Sequence, residues 1–193
     1  MIYMTTILQG EKKHAAEHEA GRQLLRYALR EEYGICELPE IFKGTCGKPY
    51  FPKYPYIQFN ISHSGDRAVC ALGQMELGID VEYAREIKDN LIDRTLADRE
   101  KSWLEQRHDR KTAFIRLWTL KESYIKATGE GLLTELKTVE FLLPEEDGGG
   151  EIICNQKGYV FYQRELAGDC YLSLCVKGDR LPDEMKKLHI VFL

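Results

Sequence analysis

The sequence predicts an α+β fold, on three observations. Two stretches, residues 11–33 and about 87–128, carry apolar residues at helical spacing. Short runs rich in β-branched and aromatic residues stand at 56–61, 67–72, 77–82, 139–143, 151–154, 159–164 and 171–176. The two kinds of element are partly segregated along the chain, which argues for α+β.

In chain order, residues 2–8 are apolar and β-branched and read as a first strand. Leu24, Leu25, Ala28 and Leu29 give the helix over 11–33 its apolar spacing, and Gly34 stops it. Residues 35–55 hold four of the six prolines and read as an irregular connection. The runs 56–61 and 67–72 read as two strands joined by the Ser64-Gly65-Asp66 turn, and 77–82 as a third. After the helical stretch the period becomes strand-like and ends in a last strand at 189–193. Gly148-Gly149-Gly150, behind Glu145-Glu146-Asp147, reads as a hairpin turn whose charge would repel a phosphate. Composition marks no domain boundary.

The chain has 193 residues, 44% hydrophobic and 30% charged, a globular balance that excludes a mainly disordered protein. No apolar run approaches the roughly 20 residues of a membrane helix, which argues against an integral membrane protein. The net charge of −4 argues against a diffuse nucleic-acid surface. The N-terminus shows no secretory signal, and none of the six cysteines forms a C-x-x-C pair, so a cytoplasmic protein with reduced thiols is expected. Cys70 and Cys175 stand in apolar runs, as packing residues do.

Three clusters could carry chemistry. Phe59-Asn60-Ile61-Ser62-His63-Ser64-Gly65 ends a strand. Adjacent strand residues point to opposite faces, so Ser62 and His63 do not form a nucleophile–base pair. Alone the segment reads first as a hydrogen-bonded turn with an exposed His; its hydroxyls, imidazole and turn amides can also hold phosphate oxygens. In Gly78-Ile79-Asp80-Val81-Glu82, Asp80 and Glu82 share a face while Ile79 and Val81 enter a core. Two neighbouring carboxylates suit Mg²⁺, or equally a solvated strand edge. Over residues 114–126, Phe114, Leu117, Trp118 and Ile125 form an apolar stripe that contains Lys121, with Glu122 at its edge and Lys126 one turn further. A carboxylate and an ammonium at a core boundary suit acid–base work; an ordinary surface pair with a snorkelling Lys121 is the plainer reading. His14 and His18 lack the H-E-x-x-H pattern and read as a polar helix face, and the charge run over 98–111 reads as a solvated one.

Together and in this order, the motifs Asn60-Ile61-Ser62-His63-Ser64, Gly78-Ile79-Asp80-Val81-Glu82 and Trp118-Thr119-Leu120-Lys121-Glu122-Ser123-Tyr124-Ile125-Lys126, with Gly47-Lys48-Pro49 before them, resemble the 4′-phosphopantetheinyl transferase superfamily, in its larger surfactin-synthetase-activating type. The resemblance covers residues 47–132. It implies two similar α+β halves related by a pseudo-twofold, 1–76 and 77–193, with the active site in the cleft between them. It also implies transfer of 4′-phosphopantetheine from coenzyme A to a serine of an apo acyl or peptidyl carrier protein, releasing 3′,5′-ADP. By resemblance, Asp80, Glu82 and Glu122 hold Mg²⁺, or Mn²⁺ in its place. Glu122 is also the base, directly or through a metal-bound water, and Lys126 neutralises phosphate charge and could protonate the leaving group. Ser62 and His63 contact coenzyme A phosphates, Lys48 lies near the nucleotide, and Arg22 aligns loosely with a position that binds the 3′-phosphate. A monomeric pseudo-dimer follows, without nucleic-acid or membrane partners, and residues 83–99 are the expected carrier surface. The segment before the first helix is some tens of residues shorter than in that type. Two other classes remain open from the residues: a non-catalytic module binding coenzyme A or a carrier, and a metal-dependent phosphohydrolase.

Overall fold

The first sheet begins at β1 (Ile2–Thr6), which is followed by α1 (Lys13–Tyr33), a small hairpin of β2 (Phe42–Lys43) and β3 (Pro49–Tyr50), and then β4 (Gln58–Ser64) and β5 (Arg67–Gly73). The structure is a computed structural model that describes residues 1–7, 13–144 and 151–193, apart from the side chains of residues 13, 14 and 132. The triglycine turn, the end of the first strand and the expected start of the first helix lie outside those residues. Proline density between 35 and 55 therefore marks a connection that still contains one two-residue ladder.

The second half repeats the pattern. β6 (Leu77–Tyr83) leads into α2 (Asp89–Thr95), α3 (Asp98–Glu105) and α4 (Arg110–Thr128), then β7 (Phe141–Leu142), β8 (Ile153–Cys154), β9 (Tyr159–Leu166) and β10 (Cys170–Lys177). In the first sheet β5 pairs antiparallel with both β1 and β4; in the second β10 pairs antiparallel with both β6 and β9. Each half is thus strand–helix–strand–strand with the last strand in the middle, so the two halves are alike in topology. The last strand, β11 (Leu188–Ile190), differs from expectation. It is shorter, and it crosses back to lie parallel to β1 in the first sheet.

Strand alternation distributes the core. Tyr3, Phe59, Cys70 and Leu72 face Leu24, Leu25, Ala28 and Leu29 of α1. Ile2, Met4, Val69 and Ala71 face the other way and meet Ile79, Val81, Leu172 and Leu174 of the second sheet in a shared core. Each sheet therefore has a helix on one face and its counterpart sheet on the other.

The continuous helical stretch is three helices. Asp109 accepts hydrogen bonds from the backbone N–H groups of Lys111 (3.1 Å) and Thr112 (3.2 Å) and so starts α4, and Gly129 ends it in the left-handed conformation, φ 71°. α4 is buried more widely than the apolar stripe suggests, because Ile92, Leu104, Val139 and Phe141 cover the side away from the sheet. Its inner side lies against the backbone of β6. A Cβ added at Gly78 would come 2.2 Å from the Ser123 carbonyl oxygen and 2.3 Å from the Ala127 nitrogen, contacts no side chain can make. The glycine that opens the β6 motif is thus required by packing, and it fixes how deeply α4 sits.

Gly78→Ala should lower the unfolding free energy by about 3 kcal/mol or more, since backbone on both sides must yield. Urea unfolding checks this; a loss below about 1 kcal/mol contradicts the close approach.

Candidate functional site

β4 is the outer strand of the first sheet and β6 the outer strand of the second. They run beside each other without a backbone ladder, and side chains make the connection. Asn60, Ser62 and Ser64 stand at every second position of β4 and so share one face. The Asn60 Oδ1 accepts the Ile79 N–H at 2.9 Å. The Ser62 hydroxyl donates to Asp80 Oδ1 at 2.8 Å, and Ser64 donates to Glu82 Oε2 at 2.7 Å. From α4, the Lys126 ammonium reaches both partners, 2.6 Å from Asp80 Oδ1 and 2.9 Å from Ser62 Oγ. Serine, aspartate and lysine from three segments far apart in sequence thus form one hydrogen-bonded unit.

Glu122 stands one turn before Lys126. Burial and then the Asp80 charge push its carboxyl up to about 7, Lys126 opposes the shift, and Glu82 adds to it. Glu82 is also raised, by burial and by Asp80, against the pull of Ser64, Arg85 and Lys126. Asp80 is 4% exposed, and its second oxygen, Oδ2, is buried without a hydrogen-bond partner. An orphaned carboxylate oxygen beside two carboxylates that resist ionisation is a hard, oxygen-only donor set whose free energy a divalent cation would lower. Among the described residues no three Asp, Glu, His or Cys groups already stand together at metal-holding distances. The residues offer the oxygen donors that Mg²⁺ prefers, and the Lys126 ammonium is the cation that pairs with Asp80.

His63 projects to the opposite face of β4 from Ser62, towards α1. Its Nδ1 lies 3.7 Å from Glu17 Oε2, and its ring centre is 6.1 Å from that of His18. Lys48 donates to the Ala127 carbonyl at the end of α4, and burial lowers its ammonium from the usual lysine range. It lines a cleft of about 180 Å³ with Gly47, Asn60, Ile125, Lys126 and Gly129. A larger hollow of about 700 Å³, lined by Gly34, Leu38 and Tyr54 among others, belongs to the 35–55 connection and holds none of the clustered carboxylates. Arg22 is exposed on α1, outside the hydrogen-bonded unit.

Lys121 takes no part in this chemistry. Its side chain is fully buried and pairs at 2.7 Å with the equally buried Glu100, and it also donates to the carbonyls of Leu136 (3.0 Å) and Val139. Glu100 in turn accepts the N–H groups of Ala97 at 2.8 Å and Phe141 at 2.9 Å. The charge run over 98–111 is therefore not uniformly solvated: one of its carboxylates is the counter-ion that lets a lysine sit inside the core. Sequence reasoning also missed Asn60 and Ser64 as contacts, although their two-residue spacing from Ser62 was the signal.

The 4′-phosphopantetheinyl transferase superfamily matches residues 76–175, which span β6, α4, Glu122 and most of β10. The chain belongs to that superfamily. Within it, a 4′-phosphopantetheinyl transferase of Bacillus subtilis is 36% identical over 138 residues, covering 70% of this chain and 62% of the relative. The transferase HetI of a Nostoc species is 40% identical over 140 residues, covering 68% and 59%. The chain thus spans about three fifths of the length of these superfamily members. Among solved structures, the holo-[acyl-carrier-protein] synthase of Thermotoga maritima overlays with a TM-score of 0.46 at 24% identity, covering 56% of this chain and 66% of that one.

Two outcomes follow. Lys121→Met strands Glu100 in the core and should cost about 3–5 kcal/mol of stability, part of which adding Glu100→Gln restores; a single substitution within about 1 kcal/mol of the parent contradicts the buried pair. Glu122 has a folded-state pKa above its unfolded one, so the folded form binds the extra proton. Its contribution favours folding most below about pH 4.5 and is lost as the pH rises to about 7. In EDTA, Glu122→Gln should therefore be more stable than the parent above pH 7, by about 1–3 kcal/mol, with the gap closing towards pH 4.5. A gap that does not change with pH would refute the assignment.

Proposed function

We propose that the protein transfers 4′-phosphopantetheine from coenzyme A to a serine hydroxyl of an apo carrier protein and releases 3′,5′-ADP. The observation that supports this most is the meeting of Ser62, Asp80 and Lys126 in one hydrogen-bonded unit, with Glu82 and Glu122 alongside. Asp80, Glu82 and Glu122 would hold Mg²⁺, or Mn²⁺ in its place. When bound, such an ion supplies charge neutralisation on the pyrophosphate of coenzyme A.

The chain's own groups do the rest. Glu122 accepts the proton of the attacking serine hydroxyl as the general base. The serine oxygen forms a bond to the β-phosphorus as its bond to the bridging oxygen breaks, and the electron pair leaves with 3′,5′-ADP. Lys126 offers its ammonium to the phosphate oxygens and can protonate the leaving group. Ser62, which holds Asp80, and His63, on the other face of β4, lie near the phosphates; Lys48 lies near the nucleotide and Arg22 towards the 3′-phosphate. Residues 83–99 follow Glu82 directly, with the exposed Arg85 3.8 Å from Glu82, and form the carrier surface. The two halves are 1–76 and 77–193, with residues 188–190 returning to the first sheet. Because one chain supplies both sides of the site, it acts as a monomer, and its six unpaired cysteines suit a reducing cytoplasm.

Intact-mass spectra of a panel of apo carriers, incubated with the protein, coenzyme A and Mg²⁺, should show one added phosphopantetheine on at least one carrier, lost in EDTA. Glu122→Ala should abolish the adduct and remain folded. No adduct on any carrier, or metal-dependent release of 3′,5′-ADP without a carrier, would overturn the reading.

A further inference from the structure

Of the three β4 side chains that cross to β6, Asn60 alone keeps a second polar group. The hydroxyls of Ser62 and Ser64 are engaged with Asp80 and Glu82. Asn60 is 6% exposed, and its carboxamide oxygen is fixed by a backbone donor, the Ile79 N–H at 2.9 Å. The Ile79 N–H can only donate, so the carboxamide oxygen must face it, the amide cannot be flipped, and its NH₂ group is the part that faces elsewhere. Asn60 lines the cleft of about 180 Å³ together with Lys48 and Lys126. The seam bond needs only an acceptor, which Asp would supply as well. Asp at this position would, however, set another carboxylate beside Asp80 and oppose any anion between the two lysines.

We infer that the Asn60 NH₂ group is a substrate-binding donor, one that hydrogen-bonds a phosphate oxygen held in this cleft between Lys48 and Lys126. The ligand class is a phosphate ester or anhydride, and under the function proposed above, on which this inference builds, it is a phosphate of coenzyme A. Gly129 keeps the cleft wall free of side chain: an added Cβ there would stand 3.0 Å from the Lys48 Cβ and Cδ. The same carboxamide joins the cleft to the carboxylate site, because the backbone group it grips belongs to the residue immediately before Asp80.

The test uses Asn60→Asp, which keeps the seam acceptor and removes the donor. The parent and the variant are titrated calorimetrically with coenzyme A and, separately, with inorganic pyrophosphate. The variant should bind both at least about tenfold more weakly while still unfolding in one cooperative thermal transition. To separate lost contact from added charge, the side-chain amide signal of Asn60 in the parent is followed by ¹⁵N–¹H NMR. It should move on addition of pyrophosphate, and this readout stands even if the variant fails to fold. If the parent binds pyrophosphate but not coenzyme A, the coenzyme A reading falls while the Asn60 assignment is judged on pyrophosphate. Equal affinities for parent and variant, an Asn60 amide signal that does not move, or a parent that binds neither probe would overturn the inference.

Discussion

The structure depends on how two sheet edges meet. β4 and β6 approach as outer strands of separate sheets, where unpaired N–H and C=O groups would ordinarily be a liability. Here the side chains of Asn60, Ser62 and Ser64 cross the gap in place of a ladder. This turns an unsatisfied edge into a polar seam and brings Asp80 and Glu82 under hydroxyl control. A normal ladder between β4 and β6 would have satisfied the backbone and left those carboxylates without their partners.

The second half of the site hangs on α4, whose position is over-determined. Gly78 lets it sit against the β6 backbone on one side, and the Glu100–Lys121 pair ties its other side to the segment around Leu136–Phe141. Both contacts flank Glu122 and Lys126 in sequence and in space. A buried ion pair is a poor source of net stability. This one satisfies two backbone donors and two carbonyls besides, so its effect is to allow one arrangement of the helix rather than several. Glu82 and Glu122 show the opposite economy: burial and the neighbouring Asp80 charge disfavour their ionised forms, a tension that a cation would relieve.

Much of this was legible in the sequence because it follows from strand and helix periodicity. The α+β class, the shared face of Asp80 and Glu82, the opposite placement of Ser62 and His63, and the helical neighbourhood of Glu122 and Lys126 all rest on spacing within one element. What periodicity cannot supply is the partner across space. Lys121 was out of place in an apolar stripe, but its counter-ion lay 21 positions away in a charge run that looks solvated. β11 carried a strand-like composition, yet nothing local told it to return to the first sheet. Gly78 was visible as a letter, and its reason, the helix backbone lying on top of it, was not.

The central claim is that the seam between β4 and β6 is a coupled unit and not two adjacent surfaces. A double-mutant cycle of Ser62→Ala and Asp80→Asn, read by denaturant unfolding in EDTA, addresses it most directly. Coupling of about 1 kcal/mol or more between the two substitutions is the expected result. Additivity within about 0.3 kcal/mol would contradict the account.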